Sequence, residues 1–306
     1  MKERIKDAGR RRKKQTKDSD PDDSSLHPSS FIPHPSKRLH PSRRFGQNFL
    51  TDKRVIQRIV GALKPNSQET IIEVGPGTGA LTAELLKDAG RVIALEFDPR
   101  LIPLLRDSFD PFPNFELIEG DALEADFCSA IKPAKHARLV ANLPYNISTA
   151  ILQRLIEQRR CLSEMVLMLQ KEVVERMTAP PSSSERGYLS VLIEAYAEAE
   201  KLFDVNPASF RPAPKVWSSV VRLIVRPQMA VAVRDEKLFW SIVSAGFAQR
   251  RKTIFNNLRR AADNLQETIK RNGGASIVLC RAGIDLRRRA ETLSLEEWAR
   301  IVRSLS

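Results

Sequence analysis

Thr70-Ile71-Ile72-Glu73-Val74-Gly75-Pro76-Gly77-Thr78-Gly79 sets a short β-branched run against a turn holding three glycines. Thr, Ile and Val suit a pleated, half-buried surface, so residues 70–74 are expected to form a strand. The glycines permit positive φ and let the backbone approach a ligand closely where strand passes into helix. That helix is expected over 80–89, where Leu81, Leu85 and Leu86 have helical spacing. The spacing is Gly-x-Gly-x-Gly rather than the Gly-x-Gly-x-x-Gly of dinucleotide binders. Glu73, just ahead of the glycines, would repel a pyrophosphate but suits a cationic sulfonium ligand. An ordinary tight turn is the plainer alternative; three glycines beside an acid favour the ligand.

Outward from this turn the chain keeps alternating. Residues 91–95, 115–118, 139–141 and 165–169 are apolar runs expected as strands, followed by two more near 201–205 and 220–225. Helical spacing falls at 53–63, 100–108, 148–158, 171–177 and 188–197, and Asp52 is placed to cap the first of these. Near-continuously apolar strands alternating with helices indicate an α/β fold: a mostly parallel sheet covered on both faces. After Pro227 the strand pattern stops. Residues 235–248, 253–262, 276–282 and 295–305 read as helices, so a small all-helical domain is expected over 229–306 and an α/β domain over 43–228.

Residues 1–42 carry too little apolar surface to offset the entropy of ordering and are expected to be a disordered basic, Pro/Ser-rich tail. Its acids at 18, 20, 22 and 23 argue against a transit peptide, and it has no apolar core for a secretory signal. The whole chain of 306 residues carries a formal charge of +13. The tail holds eleven Lys/Arg against six Asp/Glu, leaving +8 on the remainder, so the body is itself basic. That balance favours a polyanionic partner, most often nucleic acid. No apolar run reaches the roughly 18 residues of a membrane helix, and a soluble, cytoplasmic protein is expected. Cys128, Cys161 and Cys280 are far apart, which argues against disulfides and zinc and fits a reducing cytosol. Three of the four histidines lie in the tail, so metal ligation and histidine-based general catalysis have almost nothing to work with.

Two acids continue the pattern set by Glu73. Glu96 ends the second strand about 20 residues past the glycines, where an acid can accept both ribose hydroxyls. Asp121 ends the third, where it could accept from an adenine amino group. Alone, each is an ordinary cap or loop residue. Together, at the carboxyl ends of consecutive strands, they point into one crevice. The fourth strand ends in Asn142-Leu143-Pro144-Tyr145, poor core material but a good pocket for a flat, hydrogen-bonding ring. An exocyclic adenine amine is a weak nucleophile because its lone pair is delocalised into the ring. The Asn142 side-chain carbonyl and a backbone carbonyl near Leu143 or Pro144 would bind its N–H groups and favour a tetrahedral nitrogen. Tyr145 would stack on the base. No strong base is needed, because the alkylated amine is acidic, which agrees with the histidine shortage.

These motifs carry a resemblance. Residues 43–306 resemble the ribosomal RNA adenine dimethylases, whose motifs occur here in the same order through nearly the whole folded chain. Gln47-Asn48-Phe49-Leu50 is similar to the family segment that closes over the methionine end of the cofactor. Glu73–Gly79, Glu96, Gly120-Asp121-Ala122 and Asn142–Tyr145 match the other cofactor and catalytic motifs. The resemblance implies a Rossmann-like class I methyltransferase sheet and S-adenosyl-L-methionine as cofactor. Gln47, Asn48, Leu50, Glu73, Gly75, Gly77, Glu96, Asp121, Ala122 and Asn142 would bind it. Asn142, Leu143, Pro144 and Tyr145 would carry the chemistry. The segment Phe210-Arg211-Pro212-Ala213-Pro214-Lys215-Val216-Trp217-Ser218 matches a late motif, and Phe210 would face Tyr145 across the target base; unaided, Phe210 reads as a packed loop residue. Phe247–Leu258 also resembles the family, and Arg250, Arg251 and Lys252 would contact RNA phosphates, reading shape rather than sequence. Arg287-Arg288-Arg289 is a second basic cluster with less support. One departure is Gly187-Tyr188, in the order opposite to the family's.

The substrate expected from the resemblance is small-subunit rRNA in a pre-30S particle, met by a monomer without metal. Two alternatives stay open. One is a large-subunit rRNA methylase conferring macrolide resistance, and the other an assembly or RNA-binding factor for which catalysis is secondary.

Overall fold

The computed structural model describes residues 47–305. The expected tail over 1–42 and the segment 43–46 lie outside the described residues. β1 (Phe49–Leu50) and α1 (Lys53–Leu63) lead into β2 (Thr70–Val74). Next come α2 (Thr82–Leu85), β3 (Arg91–Glu96), α3 (Ile102–Phe109), β4 (Phe115–Glu119), α4 (Phe127–Ala130) and β5 (Ala137–Asn142). They are followed by α5 (Ser148–Glu157), β6 (Leu162–Gln170), α6 (Lys171–Met177), α7 (Tyr188–Tyr196) and β7 (Ala197–Val205). β8 (Phe210–Arg211) and β9 (Ser218–Val225) precede five C-terminal helices: α8 (Glu236–Phe247), α9 (Ile254–Arg259), α10 (Asp263–Arg271), α11 (Ala275–Arg281) and α12 (Leu295–Arg303).

Seven strands form one sheet in the order β4-β3-β2-β5-β6-β9-β7. The first five are parallel, and β9 lies antiparallel between β6 and β7. The α/β reading and its mostly parallel sheet hold. From β2 the chain steps outward to β3 and β4, then returns to β5 on the other side of β2. The connections leaving β2 and β5 therefore diverge, opening a crevice at the carboxyl ends of these strands.

The period-2 alternation of strand side chains sorts them into two cores. Ile71, Val140 and Val166 join α1 and α3 on one face, while Ile72, Leu139 and Leu167 join α5 on the other. The Asp52 carboxylate caps α1 by accepting from the amides of Arg54 (3.0 Å) and Val55 (3.4 Å). The second core continues into the C-terminal helices, where Phe239, Ile242 and Trp298 are fully buried. Gly246 on α8 makes this possible: a Cβ there would come within 2.4 Å of the Trp298 ring. After residue 229 the described residues form helices and no strand, and these helices share their core with the sheet.

Three expectations are corrected. The helix expected over 80–89 is only Thr82–Leu85; on its C-terminal side Lys87 and Asp88 donate three residues back, to the carbonyls of Glu84 and Leu85, tightening the chain into turns. α10 was not expected, because its only buried apolar residues are Leu265 and Ile269. Cys128 and Cys161 form a disulfide, against the expectation of none, with Cα atoms 5.4 Å apart. A sequence separation of 33 hides their proximity: the chain runs through β5 and returns through α5, bringing the turn Arg159–Cys161 beside α4. Cys280 is free and exposed. Among the described residues no helix is long and apolar enough to cross a membrane.

Candidate active site

The crevice encloses a cavity of about 360 Å³, within the range of small-molecule sites. All ten residues expected to bind the cofactor line it, and so do Leu143, Pro144 and Tyr145. Its base is the turn after β2. Gly75, Gly77 and Gly79 have φ of +69°, +60° and +81°, values that L side chains rarely adopt. At Gly77 a Cβ would also press on the Phe49 ring at 3.1 Å.

Glu73 is buried, and its Oε2 accepts from the Thr82 hydroxyl at 2.6 Å. Burial raises its pKa to about 7, against the opposing pull of that hydrogen bond. Glu96 Oε1 accepts from the amides of Phe97 (2.9 Å) and Asp98 (2.8 Å), and Oε2 from that of Gly77 (3.1 Å). Burial raises the Glu96 pKa, partly offset by these amides. A carboxylate has about four lone-pair sites, so three are already taken. Glu96 can therefore take one further donor directly; a second ribose hydroxyl would have to share with Gly77 N–H. Asp121 Oδ1 accepts from the Leu123 amide at 2.8 Å and caps its own turn. Its Oδ2 has no partner among the described residues.

The segment 47–50 is held over the turn by contacts that sequence reasoning missed. Asp98, almost fully buried, accepts from Gln47 Nε2 at 2.7 Å and from the Arg100 guanidinium. The hydrogen bonds from Arg100 hold the Asp98 carboxyl below the usual range, against the effect of burial. Gln47 and Asp98 are 51 positions apart, and only the acid-rich strand end Glu96-Phe97-Asp98 hinted at the link. Phe97, 57% exposed, presents an apolar ring to the same cavity.

At the end of β5, Asn142 donates from Nδ2 to the Asn48 carbonyl at 3.1 Å. That bond fixes the amide with Oδ1 as its acceptor. Leu143 N–H donates to the Met168 carbonyl at 3.1 Å, anchoring the turn to β6. The Tyr145 hydroxyl lies 2.6 Å from Ser218 Oγ, and Ser218 is fully buried at the start of β9. Burial raises the tyrosine's pKa, so the phenol stays neutral and serves as an anchor rather than a base.

Phe210 departs from its expected place. It is fully buried among the residues packed on α1, and β8 pairs with β1 so that Phe210 stands opposite Leu50. Arg211 is exposed, so strand alternation turns Phe210 inward, where it supports the 47–50 segment instead of facing Tyr145. In the helical region Arg250, Arg251 and Lys252 are exposed in the connection between α8 and α9. The Arg250 guanidinium donates to the Ser184 carbonyl; Arg251 and Lys252 make no ion pair among the described residues. In the second cluster Arg288 is structural, paired through both terminal nitrogens with Glu297, and Arg287 pairs with Asp285 at 3.1 Å. Among the described residues no group of His, Cys, Asp and Glu is placed to hold a metal ion.

The site is thus an apolar crevice with acids at three strand ends and an oriented amide carbonyl beside an anchored aromatic. It suits an adenosine with a cationic tail, set next to a second flat ring. Comparison with known proteins agrees. The family model described as ribosomal RNA adenine dimethylase matches residues 39–305. The chain is 44% identical over 265 residues to the ribosomal RNA small subunit methyltransferase A of Geobacter sulfurreducens, covering 86% of this chain and 94% of that one. Identity to the protein of the same name from Hahella chejuensis is 43% over 261 residues, 85% and 90% of the two chains. Among solved structures, a dimethyladenosine transferase from Plasmodium falciparum superposes with a TM-score of 0.71 at 26% identity, covering 83% of this chain and 95% of that one. The 23S rRNA methyltransferase ErmE superposes with a TM-score of 0.63 at 27% identity, over 84% and 99%. The fold is that of the class I methyltransferases. On matches that span nearly all of the described chain, the protein belongs to the ribosomal RNA adenine dimethylase family.

Proposed function

We propose that this protein methylates N6 of two adjacent adenosines near the 3′ end of small-subunit rRNA, giving N6,N6-dimethyladenosines within a pre-30S particle. The observation that carries the reading is the orientation of Asn142. Its Nδ2 is committed to the Asn48 carbonyl, which leaves Oδ1 to accept an N–H from the target amine. With Tyr145 anchored through Ser218, a base stacked on its ring is held in register with that acceptor. Accepting the N–H draws the nitrogen toward a tetrahedral geometry and localises its lone pair for in-line attack.

S-adenosyl-L-methionine, when bound, supplies the electrophilic methyl group. The residues present fit it. Glu96 offers an acceptor to the ribose, and Asp121 Oδ2 suits the adenine amino group. Phe97 offers an apolar face, and Glu73 lies under the glycine turn where the cationic tail would pass. The cavity is of small-molecule size, and the positive-φ glycines keep it clear of side chains. Loss of a proton from the alkylated amine needs no dedicated base.

The names of the relatives favour the small subunit. An rRNA substrate in an assembling particle implies the cytoplasm, and we propose that the protein acts there as a monomer, with Arg251 and Lys252 on RNA phosphates. The test supplies purified protein, cofactor and immature small subunits, and then digests the RNA. Dimethyladenosine is expected; its absence would sink the proposal. The likeness to a 23S rRNA methyltransferase sustains a second reading, in which the large subunit is modified. Raised macrolide tolerance on expression of this chain would favour it.

A further inference from the structure

The segment that enters β9 carries an unexplained aromatic. Trp217 is 48% exposed and Val216 44% exposed, immediately before Ser218. Among the described residues Trp217 has no ring partner and no side-chain hydrogen bond, unlike Trp240 and Trp298, which stack on neighbouring rings. Its position is nonetheless fixed on both sides. Its carbonyl accepts from the Lys171 amide at 2.9 Å, and the next residue holds the Tyr145 hydroxyl at 2.6 Å. Arg211 and Lys215 on the same segment are exposed, and neither pairs with an acid among the described residues.

An exposed indole that follows two unpaired cations on the same segment, joined through Ser218 to the tyrosine of the site, suits an unpaired nucleic-acid strand. Such strands bind through stacking on aromatic side chains and cations that follow the phosphates. Two cations with no acid beside them match a phosphate backbone that continues from the target base, so charge complementarity and continuity with the site favour RNA. Geometry also selects the nucleotide. The Tyr145 phenol oxygen lies in the plane of its ring, so Ser218, and the Trp217 backbone that leads into it, sit beyond the ring's edge and not over its face. A base over the Tyr145 face is therefore offset from the Trp217 backbone, which assigns Trp217 to a neighbouring nucleotide.

We propose that Trp217, with Arg211 and Lys215 of the same segment meeting the phosphates, stacks on the base of a nucleotide neighbouring the target adenosine. The inference rests on the RNA-methylating reading above. The experiment compares the full chain with its Trp217→Ala and Trp217→Phe variants. Three quantities are measured: methyl transfer to immature small subunits, cofactor affinity, and quenching of tryptophan emission by a single-stranded RNA oligonucleotide containing two adjacent adenosines. Trp217→Ala should lower kcat/KM about tenfold or more, chiefly through KM. It should also abolish most of the quenching and leave cofactor affinity unchanged; Trp217→Phe should restore most of the activity. A wild-type chain that methylates while Trp217→Ala stays within about twofold of it overturns the stacking role alone. A loss that Phe does not restore, or one shared by cofactor affinity, also overturns it. A wild-type chain that methylates no small subunits overturns the underlying reading and the inference with it.

Discussion

Asn142 keeps its orientation through one bond, from Nδ2 to the Asn48 carbonyl. Replacing it with Ala removes an acceptor that acts where charge shifts in the transition state. kcat for methyl transfer should fall on the order of 10²–10³-fold, as for loss of one preorganised polar group in other enzymes. The thermal midpoint should barely move, because Asn142 is only partly buried. Single-turnover methyl transfer with radiolabelled cofactor checks this; a fall below about tenfold would remove Asn142 from the chemistry. Glu73 yields a pH prediction. Its folded pKa is raised by burial to about 7, from an ordinary value of 4.5. Between those values the folded state holds a proton that the unfolded chain has lost. Its contribution is therefore fully present below pH 4.5 and is lost as pH rises through about 7, a change of roughly 3 kcal/mol. Glu73→Gln keeps an acceptor for Thr82 and removes the titration. The variant should gain stability relative to wild type from pH 5 to pH 8 in urea denaturation; a constant difference would contradict it. At this scale the site residues were legible because Glu73, Glu96, Asp121 and Asn142 stand at or within two residues of the ends of their strands. Phe210 was misplaced because a motif fixes a residue's position in the chain and not the direction its side chain takes in a two-residue strand.

At the scale of elements, local chemistry decided what could be read. α12 announces itself by a capping box: Ser294 Oγ accepts from Glu297 N–H at 3.2 Å, and Glu297 accepts back from Ser294 N–H at 2.9 Å. Glu297 also holds Arg288, so the cap joins the helix to the preceding connection. Ser294→Ala should destabilise the protein by about 1 kcal/mol, read as a lower urea midpoint at unchanged m-value. Methyl transfer at 25 °C should be unaffected, since no residue of the crevice is touched. The parallel strands were legible by their continuous apolar runs. β1 and β8 were not, because two residues carry no periodicity; their pairing is set by tertiary contact between segments 157 or more positions apart, as in the bond from Ser209 Oγ to Asp52. With the β1–β8 pairing and the Gln47–Asp98 bond, it helps to hold the 47–50 segment over the glycine turn. The disulfide was illegible for the same reason, since its two half-cystines meet only after β5 and α5 have folded back.

For the molecule as a whole, the sheet and the C-terminal helices were legible as separate regions because strand periodicity ends after Pro227. Their shared core was not, since Trp298 and Phe239 look alike whether they pack on one another or on a sheet. Shared packing has a functional consequence: basic residues of the helical region are held in fixed relation to the crevice. Arg250 reinforces this by donating to the Ser184 carbonyl, which leaves Arg251 and Lys252 as the exposed cations between α8 and α9. If these two meet phosphates, RNA binding should follow counterion release, with log affinity falling linearly in log salt. The slope is about −0.7 to −0.9 per phosphate neutralised, so the double variant Arg251→Ala/Lys252→Ala should flatten it by roughly 1.4 to 1.8. Affinity should weaken by a similar factor for every RNA sequence tested, because phosphate contacts position a strand without reading it. Arg288→Ala is the control. It removes a cation from the same region, yet Arg288 is committed to Glu297, so its loss should lower stability and leave the salt slope unchanged. Fluorescence polarisation across 50–300 mM salt, on the order of physiological strength, separates the two outcomes. A slope that does not change in the double variant would take RNA contact away from this connection and return it to the basic surface at large.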